Sequence, residues 1–539
     1  MATADAASIC TDSNELFGHP KGLYVCFATE LWERFSFYGM KYLLLLYLTK
    51  YHLFTDAAGL DVLGSYAAMV YAMPVIGGML ADRYLGMRKS VVFGGVLLCL
   101  GHLGMAWEGH QAYIDNGSIV RDTTALQAFY FSLALIIMGV GFLKPNISTI
   151  VGKLYSEDDP RRDSGFTIFY MGINLGSFMA TLLCGYLGET YGWKYGFGAA
   201  GIGMLVGLAT FIKGQPHLLG HAEPGNPPLL KEKSIIGLNK EFTIYLCGIF
   251  GLLVVWQMVQ FVHIVEHSLN IITLVLAAGL AYFLFKHCDK IERARMYVLM
   301  VLIASSVMFW ALFEQTAASM TLYADRVVDR EILGVTFTAS QFGALNALFI
   351  FTLAPGFAWL WKKLSKLRME PSTPVKFALG IAQAGLGFGA LVIGASLPDE
   401  TGKVAAIWLI LAYLFHTTGE LCLSPVGLSA VTKLAVPRVV GVMMGAWFLA
   451  TAYAEFVAVQ ISKLASIDTT AGEVVDRAQA LASYTELFST LLYIGLGGGL
   501  ALLVISPLLR RGMHEHLTHA SESSTRVPIR DIEYHENQQ

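Results

Sequence analysis

Long apolar segments recur along the whole chain and predict about fourteen transmembrane helices. Each holds about 20 residues with few charges, which is the length that an α-helix needs to cross a bilayer. The apolar residues run continuously, whereas a membrane β-barrel would show them at every second position. The predicted spans are 24–48, 62–82, 90–109, 126–152, 164–188, 195–213, 242–262, 268–286, 296–323, 336–361, 375–396, 404–431, 439–462 and 483–507.

The composition supports an all-α polytopic membrane protein. Hydrophobic residues make up 55% and charged residues 14% of the 539 residues, and the mean hydropathy is +0.56. A soluble globular protein carries about a quarter charged residues, so a soluble enzyme and a disordered chain are both excluded. The net charge of −3 gives no basic field for a nucleic-acid partner. The seven cysteines contain no CxxC pair and predict no metal site.

The basic residues of the loops predict the orientation of the chain. Alternate loops hold 23 lysines and arginines, whereas the opposite loops hold 8. Basic loops face the cytoplasm, and an even number of spans returns the chain to the side where it started. Both termini are therefore predicted to be cytoplasmic.

The order of the spans predicts two six-helix bundles, as in the major facilitator fold, with two helices inserted between them. A linker rich in proline, glycine and charge separates the first six spans from the inserted pair. Paired halves with a site at their interface are typical of secondary transporters. The predicted parts are the N-terminal bundle 1–213, the cytoplasmic linker 214–241, the inserted helices 242–290, the C-terminal bundle 291–509 and the cytoplasmic tail 510–539.

The first span carries charges that a simple membrane helix would not contain. Glu30, Arg34, Tyr38 and Lys41 are spaced by four, four and three residues and so share one helix face, and Glu33 adjoins Arg34. A charge at the centre of a span costs about 2.5–3.5 kcal/mol on insertion scales. Protonation of one carboxylate would free Arg34 to bind an anionic group, which is a physical route to proton coupling. A static ion pair between packed helices is the alternative.

A second deep cation lies in the fourth span. Lys144 is followed by Pro145, which removes a backbone hydrogen bond and can bend a helix. The span continues past Lys144, so the ammonium is predicted to lie inside the membrane as an anion site or a gate. The alternative is a lysine whose ammonium reaches the interface.

Two acidic residues lie in spans of the second half. Glu314 and Glu420 complement the cations of the first half in sign, so a zwitterion would satisfy both halves. Pro425 follows Glu420 and is a candidate hinge position. The alternative is that each glutamate is a protonated acid in an interhelical hydrogen bond. Glu455 also lies in a span, but no neighbour in the sequence supports a role for it.

Neutral polar and aromatic residues inside the spans are further candidates. Asn174 and Asn346 could bind an amine or a carbonyl, or simply join helices by a hydrogen bond. Several aromatic side chains could line a pocket, although an aromatic residue in a span more often packs in the core. These are Tyr38, Tyr71, Trp310 and Trp447.

Five segments together resemble the proton-dependent oligopeptide transporter family, a branch of the major facilitator superfamily. They occur in the family's order along the chain, and the inserted helix pair resembles the prokaryotic members. The segments are Glu30-Leu-Trp-Glu33-Arg34-Phe35-Ser-Phe37-Tyr38, Gly139-Val-Gly141-Phe-Leu-Lys144-Pro145, Phe169-Tyr170-Met-Gly-Ile-Asn174-Leu-Gly176-Ser177, Phe309-Trp310-Ala-Leu-Phe-Glu314-Gln315 and Gly419-Glu420-Leu-Cys-Leu-Ser424-Pro425-Val-Gly427.

The resemblance implies symport of di- and tripeptides with protons, with no cofactor and no enzyme activity. It places the peptide carboxylate at Arg34 and Lys144, and the amino terminus at Asn174, Asn346 and Glu420. It also implies backbone contacts from two tyrosines and pocket walls from two tryptophans. These are Tyr38, Tyr71, Trp310 and Trp447.

The same resemblance implies which residues couple and gate transport. Glu30, Glu33 and Glu314 match proton-linked or gating carboxylates, and Arg34 belongs with them. The gating set is Lys144, Pro145, Glu314, Glu420 and Pro425. One position departs from the family pattern: the motif commonly has tyrosine where this chain has Phe37, which puts side-chain preference and affinity in doubt. The implied setting is the bacterial inner membrane, with a monomer as the functional unit.

Three alternatives stay open at this stage. A carrier of the same fold could move nitrate or another small anion, since Arg34 and Lys144 could suffice for that, although an anion gains nothing from Glu420. A passive channel would not need coupled carboxylates or hinged halves. A membrane hydrolase would need a catalytic constellation, and the sequence shows none.

Overall fold

The computed structural model describes residues 14–514, apart from 157–158, 225–226, 235–236, 468, 471–472 and 475. Within these residues fourteen α-helices have 19 or more residues. They are α1 (Lys21–Lys50), α2 (Asp56–Leu80), α3 (Met87–Met105), α4 (Thr123–Lys153), α5 (Arg162–Tyr191), α6 (Trp193–Gly214), α7 (Lys240–Gln260), α8 (Val262–His287), α9 (Lys290–Phe313), α10 (Ala344–Lys366), α11 (Thr373–Ala395), α12 (Ala406–Leu434), α13 (Val440–Ser462) and α14 (Arg477–Met513).

Twelve helical segments of the described residues are long and apolar enough to cross a membrane. The two long helices outside this set are α1, which carries the charges noted above, and α3, which has 19 residues. The predicted all-α membrane fold with about fourteen helices is therefore confirmed.

The remaining elements are short and lie between the long helices. Asp122 caps α4 by accepting hydrogen bonds from the backbone N–H groups of Thr124 and Ala125. Hydrogen bonds from the backbone of Ala125 and His110 lower the pKa of Asp122. The short helices are Ala81–Leu85, Gln215–Leu218, Pro227–Lys231, Glu314–Ala317, Ser319–Arg326, Ser340–Gly343, Pro437–Val439 and Lys463–Ala465. The strands are Glu15–Leu16, His19–Pro20, Tyr113–Asp115, Ser118–Val120, Val328–Asp329, Glu331–Ile332, Val335–Thr336, Val404–Ala405, Thr469–Thr470 and Glu473–Val474.

Helices α1–α6 and α9–α14 each pack mainly among themselves. In the first set α1 packs on α5 and α6, and α4 packs on α2 and α3. In the second set α11 packs on α12 and α14, and α9 packs on α13. The two sets meet where α2 contacts α13 and α5 contacts α10. We call them the first half and the second half, and the predicted domain boundaries stay a prediction.

The inserted helices α7 and α8 lie outside this interface. Helix α7 packs on α4 and α2, and α8 packs on α2 and α13. The sequence predicted a loop at 263–267, but only Phe261 separates the two helices. The linker contacts the first half, because Arg88 pairs with Glu223 at 2.5 Å, and the start of α7 does so as well, because Lys89 pairs with Glu241 at 2.6 Å.

The predicted span at 296–323 lies within one membrane-spanning segment, Lys290–Arg326, but its helix is interrupted. Helix α9 ends at Phe313, and the chain continues as a 3₁₀ turn at Glu314–Ala317 and a second helix at Ser319–Arg326. The break lies at Ala318, where φ is −115° and ψ is −103°. Backbone irregularity inside a membrane protein is tolerated where it is buried and its polar groups are satisfied. Here the Thr321 hydroxyl donates to the Thr316 carbonyl at 2.7 Å.

Replacement of Gly94 by alanine is expected to destabilise the first half. A Cβ at Gly94 would lie 2.5 Å from the carbonyl oxygen of Gly139 and 2.8 Å from the backbone nitrogen of Leu143, so α3 would have to move away from α4. Overpacking of this kind typically costs about 1–3 kcal/mol. The melting temperature in detergent measures the effect. Gly279→Ala is the matched control, because nothing lies within 4 Å of a Cβ there. An unchanged melting temperature for Gly94→Ala would contradict this close approach.

Candidate functional site

Helix α1 brings three ionisable side chains together inside the first half. We call Glu30, Glu33 and Arg34 the Arg34 cluster. The guanidinium donates from both Nε and Nη2 to the Glu33 carboxylate, with 2.7 Å from Nη2 to Oε1, and its Nε lies 3.2 Å from Glu30 Oε1. All three residues are 0–3% exposed. Glu30 Oε2 is buried and has no hydrogen-bond partner among the described residues. Glu33 therefore holds Arg34 firmly, whereas Glu30 is held by one weak contact.

Lys144 faces this cluster from α4. Its ammonium lies 4.3 Å from the centroid of the Tyr71 ring, and it interacts electrostatically with Arg34, Glu33 and Glu30. Among the described residues no carboxylate forms an ion pair with Lys144. The helix runs through Pro145 and ends at Lys153, so the ammonium lies inside the span. A cation in this position can accept an anionic group.

The second half supplies a carboxylate with a polar neighbour. Asn346 of α10 donates to Glu420 of α12 at 2.9 Å and to Thr417 at 3.2 Å. Glu420 is 8% exposed. Asn174 was grouped with these two residues, but its amide donates at 3.1 Å to the Tyr170 carbonyl of its own helix. The structure thus joins Asn346 to Glu420 and shows no hydrogen bond from Asn174 to either of them among the described residues.

The candidate aromatic residues lie between and around these charges. Tyr38 is half-buried and interacts electrostatically with Arg34 and Lys41 and also with Glu314 and Glu420, so it stands between the two halves. Trp310 is half-buried against Phe309 and Phe313.

Trp447 and Pro425 lie on neighbouring helices of the second half. Trp447 is buried, and a Cβ at Gly427 would lie 2.7 Å from its Cζ2 atom. This close approach joins α13 to the part of α12 that follows Pro425. Pro425 itself lies inside α12 and is exposed.

Lys41 joins the two halves through two carboxylates. The sequence analysis named Glu314 as a candidate but gave Glu455 no role. The ammonium donates at 2.8 Å to Glu314 and at 2.8 Å to Glu455. We call these three residues the Lys41 bridge. The side chains of Lys41, Glu314 and Glu455 are 3%, 12% and 4% exposed. In the sequence Glu455 stands out only as an acidic residue inside an apolar span. Its partner Lys41 lies 414 positions earlier in the chain, so their contact depends on helix packing.

Ion pairs close one end of the interface between the halves. We call the membrane face that holds Lys21 and Met513 the terminal face and the opposite one the far face. Asp56 pairs with Arg326 at 2.6 Å, and both side chains are 2–3% exposed. Further pairs toward the far face are Lys50 with Asp325, Asp61 with Lys463 and Glu189 with Arg330. These contacts hold the far face shut.

Tyr170 and Lys144 are partly exposed on the terminal side of the interface between the halves. Tyr170 lies eight residues into α5 from that face, interacts electrostatically with Glu420 and is 45% exposed. Lys144 and Asn346 are half-buried, whereas Asp56 on the far side is buried. The polar residues of the two halves therefore lie between the ion pairs of the far face and the terminal face.

The charges fix what this site can bind. In the first half Arg34 is paired with Glu30 and Glu33, whereas Lys144 has no ion-pair partner among the described residues, and the carboxylate of Glu420 lies in the second half. A zwitterionic molecule with its anionic end at Arg34 and Lys144 and its cationic end at Glu420 would complement both halves. Among the described residues no group of three His, Cys, Asp or Glu side chains is placed to hold a metal ion.

Comparisons with known proteins agree with this architecture. The model of the POT family matches residues 88–480. A protein of Bacillus subtilis named as an uncharacterized transporter, YclF, is 38% identical over 95% of this chain and 99% of its own length. A di-/tripeptide transporter of Lactococcus lactis is 35% identical over 83% of this chain and 90% of its own. A crystal structure of a mutant of the peptide transporter POT in complex with alafosfalin is 35% identical and covers 93% of this chain and 97% of that one, with a TM-score of 0.77.

Proposed function

The chain belongs to the POT family, and from that premise we propose that it is a proton-coupled symporter that imports di- and tripeptides by alternating access. The observation that carries the proposal is the placement of Lys144 of the first half, which forms no ion pair among the described residues, and of the Glu420 carboxylate in the second half, with Tyr38 between the halves. The relatives named as peptide transporters support the substrate class.

A bound peptide would span the two halves. Its carboxylate meets Lys144 and Arg34, and its amino terminus meets Glu420 and Asn346, with Asn174 nearby on α5. Tyr38 and Tyr71 contact the peptide backbone, and Trp310 and Trp447 form walls of the side-chain pockets. Recognition through the termini and the backbone explains tolerance of many side chains, because no charged group is committed to a particular side chain.

Coupling begins at the Arg34 cluster. A proton that enters from the far face neutralises Glu30, whose Oε2 atom is free to receive it. The guanidinium then loses one of its two counter-charges and attracts the peptide carboxylate more strongly. Closure around the peptide breaks the ion pairs of one face and forms those of the other, with Pro145 and Pro425 as bending points and Glu314 as a gate residue. On the terminal side the proton leaves and the peptide follows.

The remaining partners follow from the same proposal. The chain is a multi-pass membrane protein, and we assign it to the bacterial inner membrane with the terminal face toward the cytoplasm. Protons are the coupling ion, no cofactor takes part, and the monomer holds the whole site. A carrier of nitrate is disfavoured because the Glu420 carboxylate would repel an anion.

Replacement of Glu420 by glutamine is expected to weaken peptide binding by about tenfold to hundredfold, since hydrogen bonds to a charged group contribute about 1.5–3 kcal/mol. The change appears in the KM for dialanine. N-acetyl-dialanine has no ammonium group, so its weak binding should not fall further in the variant. An equal loss for both substrates would show that Glu420 does not bind the amino terminus.

Counterflow distinguishes a carrier from a passive channel. Proteoliposomes loaded with unlabelled dialanine should take up labelled dialanine faster than empty ones, because a carrier returns to the outside faster when it is loaded. The rate should saturate with dialanine concentration. Equal uptake into loaded and empty vesicles would contradict alternating access.

A further inference from the structure

A cavity opens on the terminal face between the start of α11 and the end of α14. Deeper in the membrane the two helices are in close contact, because a Cβ at Gly499 would lie 2.9 Å from the Ala378 carbonyl oxygen. Toward the terminal face the helices leave a space of about 470 Å³. This space is lined by Ser372, Val375, Ser506, Pro507, Arg510 and Arg511. None of the lining residues belongs to the candidate functional site.

The lining of this cavity carries positive charge and no carboxylate. Arg510 and Arg511 lie in the last turn of α14, are exposed, and form no ion pair or hydrogen bond among the described residues. Ser372 is the N-cap residue of α11, but its hydroxyl makes no capping hydrogen bond. Glu370 precedes α11 and is already paired with Lys376 at 2.5 Å. The cavity therefore offers two guanidinium groups and a hydroxyl to an anion, and the partial positive charge at the start of α11 adds to them.

An exposed apolar surface leads from the middle of the membrane to the two arginines. It is formed on α14 by Leu500, Leu503, Val504 and Leu508, which are 44–70% exposed. Leu500 lies ten residues before Arg510, which is about 15 Å along an α-helix and about half the thickness of the hydrocarbon core. An acyl chain can lie on this surface while its headgroup phosphate lies in the cavity, whereas a soluble phosphate would use the cavity alone. The apolar surface therefore favours a lipid as the ligand.

We propose that this cavity binds the phosphate group of an anionic phospholipid. A guanidinium group presents parallel N–H donors that match the oxygens of a phosphate. Arg510 and Arg511 donate to the phosphate oxygens, and the Ser372 hydroxyl donates a further hydrogen bond. The acyl chains lie along the exposed apolar surface of α14. Inorganic phosphate shares the chemistry of the headgroup but lacks these chains. The site is independent of the proposed function, because none of its residues takes part in peptide binding or proton coupling.

Titration of the purified protein in detergent with dioctanoyl phosphatidylglycerol tests the site. Native mass spectrometry counts the bound lipid and gives an apparent Kd. We expect this lipid to bind roughly tenfold or more tightly than dioctanoyl phosphatidylcholine, which has the same chains and phosphate but no net charge, since two basic residues act on the anionic lipid. Inorganic phosphate should bind more weakly than either lipid. Arg510→Gln and Arg511→Gln should each raise the Kd for phosphatidylglycerol about fivefold, which corresponds to about 1 kcal/mol for each basic residue near an anionic lipid.

Ser372→Asp distinguishes this cavity from a generally basic membrane face. Aspartate is as good an N-cap residue as serine, so the start of α11 should be retained. Its carboxylate would lie beside the two arginines and repel the phosphate, and the Kd for phosphatidylglycerol should rise roughly tenfold or more. The matched control is Lys366→Gln, which changes the net charge by the same amount at an exposed lysine of α10 on the same face. The control should bind phosphatidylglycerol as the wild type does.

Three results would overturn the proposal. Equal losses in Ser372→Asp and Lys366→Gln would show general attraction to a basic face. Equal binding of phosphatidylglycerol and phosphatidylcholine would show that the chains alone bind. Inorganic phosphate that binds as tightly as phosphatidylglycerol would show a site for soluble phosphate and refute the lipid as ligand. If Ser372→Asp does not fold, the two arginine variants carry the test against Lys366→Gln, and unchanged binding in both overturns the site.

Discussion

Glu30→Gln is expected to abolish proton-driven accumulation of dialanine and to leave counterflow largely intact. A membrane potential of 100 mV supports roughly fiftyfold accumulation of a net-neutral peptide at one proton each, and the variant should approach equal concentrations on both sides. The structural reason is that Glu30 makes one contact of 3.2 Å with Arg34 and has a buried oxygen without a hydrogen-bond partner among the described residues. It is thus the carboxylate of the cluster that can exchange a proton at the smallest structural cost.

Glu33→Gln provides the comparison within the same cluster. Glu33 receives two hydrogen bonds from Arg34 and is 0% exposed, so its neutralisation disturbs the position of the guanidinium. We expect this variant to lose counterflow as well as accumulation. Full proton-driven accumulation in Glu30→Gln would contradict the assignment of coupling to the Arg34 cluster.

Lys144→Ala is expected to raise the KM for dialanine by roughly thirtyfold or more, since removal of one partner of a desolvated charge pair costs about 2–5 kcal/mol. Lys144 forms no ion pair among the described residues, so its removal leaves no partner unbalanced in the empty protein. The effect should therefore appear in substrate affinity and not in the melting temperature. Uptake of radiolabelled dialanine over a range of concentrations measures the KM.

A modified substrate provides the control for this prediction. Dialanine amide lacks the carboxylate that Lys144 would bind, so its already weak transport should be equal in the wild type and in Lys144→Ala. Arg34 remains in the variant, and residual discrimination between dialanine and its amide is expected to come from it. An equal loss of affinity for the acid and the amide would show that Lys144 does not bind the carboxylate.

The membrane helices could be predicted from the sequence because their signal is local. A run of about 20 apolar residues specifies a span by itself, and the predicted number of spans agrees with the fourteen long helices of the described residues. The break after Phe313 could not be predicted in this way, since Glu314–Ala317 contains only one charge and no proline. It depends on contacts with other helices, such as the hydrogen bond from Gln315 to the Ala458 carbonyl at 2.8 Å.

The candidate site was predictable to the extent that its residues are neighbours along one helix. Helical spacing placed Glu30 and Arg34 on one face, and their contact is observed. The pair of Asn346 with Glu420 and the position of Lys41 between Glu314 and Glu455 join residues 74 to 414 positions apart. Such contacts depend on how the helices pack. Glu455 was given no role because its own helix holds no second charge.

Peptide–proton symport is best tested by uptake of labelled dialanine into proteoliposomes with an imposed pH gradient and membrane potential, with and without a protonophore. We expect accumulation above the external concentration, its collapse with the protonophore, and competition by other dipeptides but not by nitrate or free alanine. Absence of dialanine uptake, with gradient-driven movement of nitrate or another small anion in its place, would contradict peptide–proton symport by this protein.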